Sequence, residues 1–349
     1  MAEERHYDCL VIGCGVVGCA VARELSLRDG VTVGVVEKQP DPVAEASSGN
    51  TGHVGSFFYY TEARAPLEYR MTRRSRQLNR EWLRKQENVA AEKRNLLMPI
   101  FSDSEMDAAK ELLKLARQNG EDGVSIVTAG EVLRLEPNMD VGGGRRLLGG
   151  LLSVDEYLVD TWLLAVSYLY SALENGARLH LGREVVECAF DANSGLWTVR
   201  VECSDGGRAE SYTARVIVNC AGNYSDAVHE MMSPDEKDPF RITPGKGEFL
   251  VFESRPGERA AAVVKSLVVP VPSAVTAGVY VFSSLYGNVV VGPTSATQRS
   301  KSDRSCDSAI QDELRARAEN LFPSLRGRTV LKASGFSSYI VSLMTFWCD

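Results

Sequence analysis

The sequence predicts an α/β fold of two domains, one built on a parallel sheet and a second, α+β domain whose sheet is mainly antiparallel. Three regions support this prediction. Residues 7–37 contain an apolar run, a glycine-rich turn, a helical segment and a second apolar run, in that order. Residues 176–219 read as consecutive strands with turn signals between them, and residues 240–295 are rich in Val and Phe between further turn signals. A chain of 349 residues is long enough for roughly two hydrophobic cores.

The first unit opens with a short apolar run, residues 7–12, that fits a buried strand. Gly13-x-Gly15-x-x-Gly18 follows directly and leads into a helical segment that ends at Gly30. The first glycine of such a motif makes a tight turn, the second lets a pyrophosphate approach the backbone, and the third lets helix and strand pack closely. Phosphates then bind at the helix N-terminus, where N–H groups and the helix dipole favour anions.

An acidic residue completes this pattern. The second apolar run, Val31–Val36, ends in Glu37. In dinucleotide sites an acidic side chain about 20 residues beyond the glycines binds ribose hydroxyl groups. Strand, turn, helix, strand and acid in this order predict a Rossmann-like FAD/NAD(P)-binding domain, although the glycines alone do not choose between the dinucleotides.

Three cysteines lie among these glycines, at positions 9, 14 and 19. Their C-x4-C-x4-C spacing matches no common zinc pattern. We therefore expect small, buried, reduced thiols here and no metal site.

Composition narrows the possible partners and compartments. The chain has 39 basic and 46 acidic residues, a net charge of −7, which argues against general binding to nucleic acid or an anionic membrane. It lacks a run of about 18 apolar residues, so no transmembrane segment is predicted. The opening MAEERHYD has the character of neither a signal nor a transit peptide. With eight scattered cysteines, we expect an intracellular protein, cytoplasmic or mitochondrial.

Local signals predict the intervening helices. Thr128 and Glu131 have capping-box spacing, and Asp160 and Ser104 are each placed to cap a following helix. The glycine-dense stretch Val141–Gly150 has no strand–helix context, so we expect a flexible crossover there.

Several further segments, in their order, resemble the D-amino-acid-oxidase-type superfamily of FAD-dependent oxidoreductases, and within it the glycerol-3-phosphate dehydrogenase and L-2-hydroxyglutarate dehydrogenase branch. Besides the glycine motif and Val36-Glu37-Lys38, the matching segments are Ser47-x-x-Asn50-Thr51-Gly52, Glu131–Pro137, Val218–Gly222, PGKGEFLVFE from Pro244 and YGNVVVGPTS from Tyr286. Together they cover most of residues 7–295.

The resemblance implies FAD as the cofactor. It places the glycine turn and residues 221–222 at the pyrophosphate, Glu37 at the adenosine ribose, and Lys38 and the Val185 backbone at the adenine. Residues 47–52 would lie along phosphate, ribitol and flavin. The implied FAD-binding residues are Gly13, Gly15, Val16, Val17, Gly18, Glu37, Lys38, Ser47, Asn50, Thr51, Gly52, Val185, Cys220, Ala221 and Gly222.

The resemblance also implies how the domains are divided. We expect a discontinuous FAD-binding domain of residues 1–62 and 145–235 and a substrate domain of residues 63–144 and 236–330. Residues 331–349 would be an incomplete return to the FAD-binding domain.

Two side chains are candidates for the chemistry. A flavin enzyme that oxidises a hydroxy compound needs a base for the hydroxyl proton and cations for an anionic substrate. His53 is the candidate base, because histidine is best poised to exchange a proton near neutral pH. The family's histidine usually lies three residues after the corresponding glycine, at position 55 here. Lys246, in the family's Lys/Arg-Gly strand, is the second candidate.

The implied function is FAD-dependent oxidation of a small anionic hydroxy compound, glycerol 3-phosphate or a 2-hydroxy acid such as L-2-hydroxyglutarate, by hydride transfer to flavin. Oxygen or a quinone would accept the electrons. One alternative is an amino-acid oxidase or demethylating oxidase of the same superfamily. Another is a non-catalytic, truncated FAD-binding remnant with weak or absent turnover, because Gly335-Phe336 is not followed by the family's arginine or its final glycine turn and helix.

Overall fold

The computed structural model describes residues 5–55, 58, 60, 62, 65–141, 145–255, 263–272 and 278–339. Within them the chain forms two sheets and seven α-helices. The strands are β1 (His6–Ile12), β2 (Val33–Val36), β3 (His53–Val54), β4 (Ala91–Ile100), β5 (Val124–Thr128), β6 (Gly149–Val159), β7 (Arg178–His180), β8 (Arg183–Asp191), β9 (Leu196–Cys203), β10 (Glu210–Asn219), β11 (Pro244–Phe252), β12 (Leu267–Val268), β13 (Tyr280–Ser283), β14 (Val289–Gly292), β15 (Ala296–Thr297) and β16 (Val330–Tyr339). The helices are α1 (Val16–Ser26), α2 (Pro66–Leu83), α3 (Asp103–Gln118), α4 (Ala129–Leu135), α5 (Thr161–Glu174), α6 (Ser225–Met232) and α7 (Ser308–Leu321).

The first sheet has six strands in the order β7-β2-β1-β10-β9-β8. Strands β7, β2, β1 and β10 run parallel, and β10, β9 and β8 form an antiparallel meander. All four residues of β2, VGVV, are buried, as expected for a strand covered on both faces. Helices α1 and α5 supply one core and α6 lies over the other. This is the predicted Rossmann-like arrangement.

The second sheet has ten strands and is antiparallel except for the pair β12 and β4. Alternate residues of its strands enter different cores. Leu97 of β4 packs with residues from α4 and α7, whereas Leu96 and Met98 pack with residues from α3. The sequence prediction of an α+β domain with a mainly antiparallel sheet is therefore confirmed.

Three strands belong to the ten-stranded sheet, although the predicted domain boundaries assign them to the FAD-binding domain. Strands β3 and β6 fall inside ranges assigned above to the FAD-binding domain, yet they pair with each other and with β4 in the ten-stranded sheet. Leu151 and Leu158 of β6 are buried in the core beneath α3, which explains this placement. Strand β16 pairs with β11, and residues 340–349 of the predicted return lie outside the described residues. The segment before β3 thus leads directly from the first sheet into the second.

None of the helices in the described ranges combines the length and the apolar composition that a bilayer-spanning helix requires.

Candidate cofactor-binding and catalytic site

The turn between β1 and α1 leaves no room for side chains at two of its glycines. Gly13 has φ +102° and donates its N–H to the Val36 carbonyl at 2.8 Å. A Cβ atom on Gly13 would lie 2.5 Å from the Cys220 carbonyl oxygen, and one on Gly18 would overlap the carbonyl oxygen of Gly13. Both positions therefore require glycine, and the backbone stays close to whatever binds over the turn.

The N-terminus of α1 is open to an anion. Its N-cap, Gly15, supplies no side-chain hydrogen bond, and the first turn holds no acidic residue. The N–H of Val16 donates to the Ser47 hydroxyl at 3.0 Å, while the side chain of Val17 is 61% exposed. Unpaired N–H groups at a helix start, together with the helix dipole, favour phosphate groups.

Glu37 fixes the other side of this turn. Its buried carboxylate accepts the N–H of Cys14 at 2.7 Å and the N–H of Gln39 at 2.9 Å. An ionised carboxylate has about four acceptor positions, so two remain for ribose hydroxyl groups. Beside it, the Lys38 ammonium lies 3.1 Å from the centre of the Tyr224 ring, a cation–π contact.

The turn after β10 packs against the glycine turn. Cys220 donates its N–H to the Ile12 carbonyl at 2.8 Å, and Ala221 donates to the Asn219 side chain at 3.2 Å. Gly222 has φ +55°, a conformation that favours glycine. Val185, on β8, is buried in the core that this sheet forms with α6.

The cysteines fill space around the turn. Cys14 and Cys19 are fully buried with their sulfur atoms 3.7 Å apart. The contact with Cys19, together with burial, raises the pKa of the Cys14 thiol, and burial raises the pKa of Cys220 to about 11. The Cys14 and Cys220 thiols are therefore protonated at neutral pH. In the described part of the chain, no three His, Cys, Asp or Glu side chains are grouped so as to hold a metal ion.

Residues 47–52, the cofactor segment, run from the glycine turn to the second sheet. The Asn50 side chain folds the segment, because it donates to the Ser47 carbonyl at 3.0 Å and accepts the N–H of Gly52 at 2.9 Å. A cavity of about 250 Å³ lies beside it. Asn50, Thr51 and Gly52 form one wall, and the start of α5 and residues 282–286 form the others.

His53 follows the cofactor segment at once, and the structure gives it a carboxylate partner. Its Nε2 atom lies 3.1 Å from Oε2 of Glu156, and the two side chains are 5% and 0% exposed. Ser153 donates its hydroxyl to the other carboxylate oxygen at 2.5 Å. The Tyr280 ring lies 6.1 Å from the His53 ring, and burial, with the Glu156 charge, raises the pKa of its phenol.

Sequence reasoning did not identify Glu156, Ser153 or Tyr280. One signal was available for Glu156, because it stands in the largely apolar strand sequence GGLLSVDEYLV. An acidic residue in such a strand is buried or lies at a bulge, and a buried one needs a partner.

Lys246 lies elsewhere on the second sheet. Its ammonium is 2.9 Å from the Asp303 carboxylate and 3.0 Å from the Ser305 hydroxyl. Burial disfavours the charged ammonium, but the hydrogen bond and charge of Asp303 outweigh this and raise the pKa of Lys246. Alternation along β11 puts Lys246 on the same face as Leu250, which packs with α7. Lys246 on β11 and His53 on β3 lie on strands near opposite ends of the ten-stranded sheet's path.

These features fit an FAD molecule. The close-packed glycine turn, the open α1 N-terminus and the buried Glu37 carboxylate would hold its pyrophosphate and ribose. Residues 8–342 match the FAD dependent oxidoreductase family. The chain belongs to this family.

Curated relatives of this chain are named for different substrates. It is 26% identical over 294 residues to glycerol 3-phosphate dehydrogenase of Caloramator mitchellensis, with 82% of this chain and 55% of that protein covered. It is 25% identical over 307 residues to human mitochondrial L-2-hydroxyglutarate dehydrogenase, with 84% of this chain and 62% of that protein covered. The chain thus spans less than two thirds of the length of these curated relatives.

Solved structures show the same fold. L-α-glycerophosphate oxidase of Mycoplasma pneumoniae, solved with FAD bound, superposes with a TM-score of 0.82 at 23% identity, covering 96% of this chain and 83% of that one. Glycine oxidase of Geobacillus kaustophilus superposes with a TM-score of 0.79 at 22% identity, covering 96% and 83%.

Proposed function

We propose that this chain is an FAD-dependent oxidoreductase that oxidises a small anionic hydroxy compound, glycerol 3-phosphate or a 2-hydroxy acid such as L-2-hydroxyglutarate. One observation carries the proposal. The cofactor segment begins at Ser47, which contacts the α1 N-terminus, and ends one residue before His53, which is paired with a buried carboxylate. A candidate base is therefore joined to the cofactor site by only a few residues. The names of the curated relatives support the substrate class.

Each part of the FAD molecule would be held by a different part of the site. The first turn of α1 and Ser47 would bind the pyrophosphate, and Glu37 would bind the ribose hydroxyl groups. Lys38, with Tyr224, and the Val185 backbone would lie at the adenine end. Asn50, Thr51 and Gly52 would line the flavin end, because they border the cavity beside the start of α5 and residues 282–286.

FAD, when bound, supplies an acceptor for the hydride that leaves the substrate carbon. The chain's own part is to orient the substrate, exclude water and remove the hydroxyl proton. His53 would take that proton as a general base. The low exposure of its side chain keeps bulk water away from the transfer.

Lys246 has no part in proton transfer in this proposal, because Asp303 and Ser305 hold its ammonium. Its charge is balanced by Asp303, so Lys246 would instead hold residues 303–305 against β11. Oxygen or a quinone would reoxidise the cofactor.

Anaerobic reduction of the FAD-loaded protein tests the proposal. The flavin absorbance should bleach on addition of glycerol 3-phosphate or L-2-hydroxyglutarate, and D-2-hydroxyglutarate is the matched control for the hydroxy acid. Bleaching by glycine or L-proline alone would replace the proposal with the amine-oxidising alternative. A protein that holds FAD but is bleached by none of these compounds would contradict both.

A further inference from the structure

We infer that Glu156 is the positioning residue for His53: it fixes which imidazole nitrogen takes the proton and stabilises the imidazolium that results. This inference rests on the proposed role of His53 as the base. Glu156 contacts His53 rather than the reacting atoms, so it acts through the imidazole.

The first argument is the hydrogen bonding of the carboxylate. Glu156 is fully buried, and a buried carboxylate persists in its ionised form only when donors compensate it. The Ser153 hydroxyl donates to one carboxylate oxygen, and His53 Nε2 lies within hydrogen-bond distance of the other. An ionised carboxylate can only accept, so Nε2 must carry a hydrogen. In the neutral imidazole the lone pair then belongs to Nδ1, which is the atom that takes the hydroxyl proton.

The second argument is a backbone irregularity that aims Glu156 at His53. The register of β4 and β6 shifts between Arg94, opposite Glu156, and Leu96, opposite Ser153. Two residues of β6 therefore oppose one residue of β4, which is a β-bulge. Asp155, within it, has φ +66°, an uncommon conformation for a residue other than glycine. The bulge puts Ser153 and Glu156 on one face, although Glu156 lies three positions after Ser153 along the strand.

The third argument is the space reserved for the pair. A Cβ atom on residue 55 would overlap Nε2 of His53 and would lie 2.7 Å from Oε2 of Glu156. Gly55 is therefore needed for this contact. The imidazole of His53 occupies the region into which a side chain at position 55 would project.

The fourth argument is the surrounding charge. Among the described residues, Glu156 on β6 and Tyr280 on β13 contact His53, Ser153 donates to Glu156, and Arg94 lies opposite Glu156 on β4. The Arg94 guanidinium donates to Glu92 at 2.7 Å and to the Lys265 carbonyl at 2.9 Å. Tyr280 stays neutral because burial raises the pKa of its phenol. Glu156 is thus a carboxylate in contact with His53, and it would stabilise the imidazolium that forms when the base takes a proton.

The experiment compares wild type with Glu156→Gln, Glu156→Asp and Ser153→Ala. NMR of histidine labelled with ¹⁵N reports the tautomer of neutral His53 in the FAD-loaded protein without substrate, and His53→Asn assigns the signal among the four histidines. We expect wild-type His53 to carry its hydrogen on Nε2, and Glu156→Gln to increase the fraction with the hydrogen on Nδ1, because an amide can donate as well as accept. Glu156→Asp and Ser153→Ala should give smaller changes. An unchanged His53 tautomer in a folded Glu156→Gln protein would overturn the inference.

The kinetic measurement is the rate of flavin reduction by substrate. Reduction in Glu156→Gln should slow by about 10- to 1,000-fold at unchanged FAD binding, because the base loses the carboxylate that orients it. Glu156→Asp, which keeps a carboxylate, should recover part of this rate, which a merely structural role would not cause. If no substrate reduces the flavin, the proposed function fails while the NMR measurement still decides whether Glu156 sets the tautomer of His53. If Glu156→Gln does not fold, Glu156→Asp carries both measurements, and a wild-type His53 tautomer and rate in that variant would overturn the inference.

Discussion

The hydroxyl oxygen of Ser47 lies 3.0 Å from the amide nitrogen of Val16, at a helix N-terminus whose N-cap residue offers no side chain. This contact joins the Rossmann-like domain to the segment that carries His53. A group that binds at the α1 N-terminus therefore touches a segment whose other end enters the ten-stranded sheet at β3. In the proposed site, the glycine turn and the His53–Glu156 pair are therefore the two ends, and residues 47–52 connect them.

The glycine turn gives the first prediction. Gly18→Ala would drive a methyl group into the carbonyl oxygen of Gly13, so helix and strand must separate. We expect the free energy of unfolding to fall by about 2–3 kcal/mol and the purified protein to lose its FAD. Urea unfolding and the flavin-to-protein absorbance ratio measure these effects.

Gly130→Ala is the matched control for this substitution. Its nearest neighbour is the Arg134 guanidinium, 4.0 Å from a Cβ at that position. The residue lies in the first turn of α4, where alanine should be neutral or stabilise the protein by up to about 1 kcal/mol. Equal loss of FAD in both variants would contradict the role assigned to Gly18.

The buried carboxylate of Glu37 gives the second prediction. Glu37→Gln turns an amide NH₂ toward the N–H of Cys14 or of Gln39, so one hydrogen bond is lost. The amide NH₂ also cannot accept a hydrogen bond from a ribose hydroxyl group; such a bond to a charged group contributes about 1.5–3 kcal/mol, so the affinity for FAD should fall by about 10- to 100-fold. Titration of the apo-protein with FAD, followed by quenching of flavin fluorescence, measures the change. Glu24→Gln, at a side chain 63% exposed, should leave the affinity unchanged.

The features that sequence reasoning predicted depend on neighbours close along the chain. The β1–turn–α1–β2 unit is confirmed, and so are the capping box of Thr128 with Glu131 and the Asp160 cap of α5. The predicted cap of α3 is wrong by two residues, because the side chain of Ser102 rather than that of Ser104 accepts the N–H of Glu105. Both serines carry the same local signal, and only the backbone conformation of Ser102 distinguishes them.

The features that escaped prediction depend on distant contacts. Gly149 and Gly150 belong to β6 rather than to a flexible crossover, because they pair with residues of β4 and β5. The pairing of Glu156 with His53 is of the same kind, since it needs a bulge whose register only the partner strand reveals. The cofactor half of the site was therefore readable from a local motif, whereas the catalytic half was not.

The pairing of Asp303 with Lys246 gives a prediction of pH dependence. The hydrogen bond from Lys246, with those from Ser305, lowers the pKa of Asp303 from 3.8 to about 2. A carboxyl whose folded-state pKa is depressed stabilises the protein above its unfolded-state pKa, and this contribution disappears as the pH falls through the folded value. The Tm difference between wild type and Asp303→Asn should have its largest value at about pH 5 and should decrease between about pH 4 and pH 2.

Lys246→Met provides the test of cause for that prediction. In the Lys246→Met protein, the further change Asp303→Asn should lower Tm less than it does in wild type, because the donor that depresses the Asp303 pKa is gone. A Tm difference that stays constant with pH, or that is unaffected by Lys246→Met, would show that the ion pair does not contribute to stability.

The space beside Gly55 gives the last prediction. Gly55→Ala places a methyl group where Nε2 of His53 now lies, so the imidazole must leave Glu156 or the strand must shift. Because no glycine-turn residue is touched, FAD should bind as in wild type, while flavin reduction should slow by about 100-fold or more, as expected when a general base is displaced. Stopped-flow reduction and FAD titration of the same sample separate the two effects. Wild-type reduction kinetics in Gly55→Ala would mean that the observed position of His53 is not the one used in proton transfer.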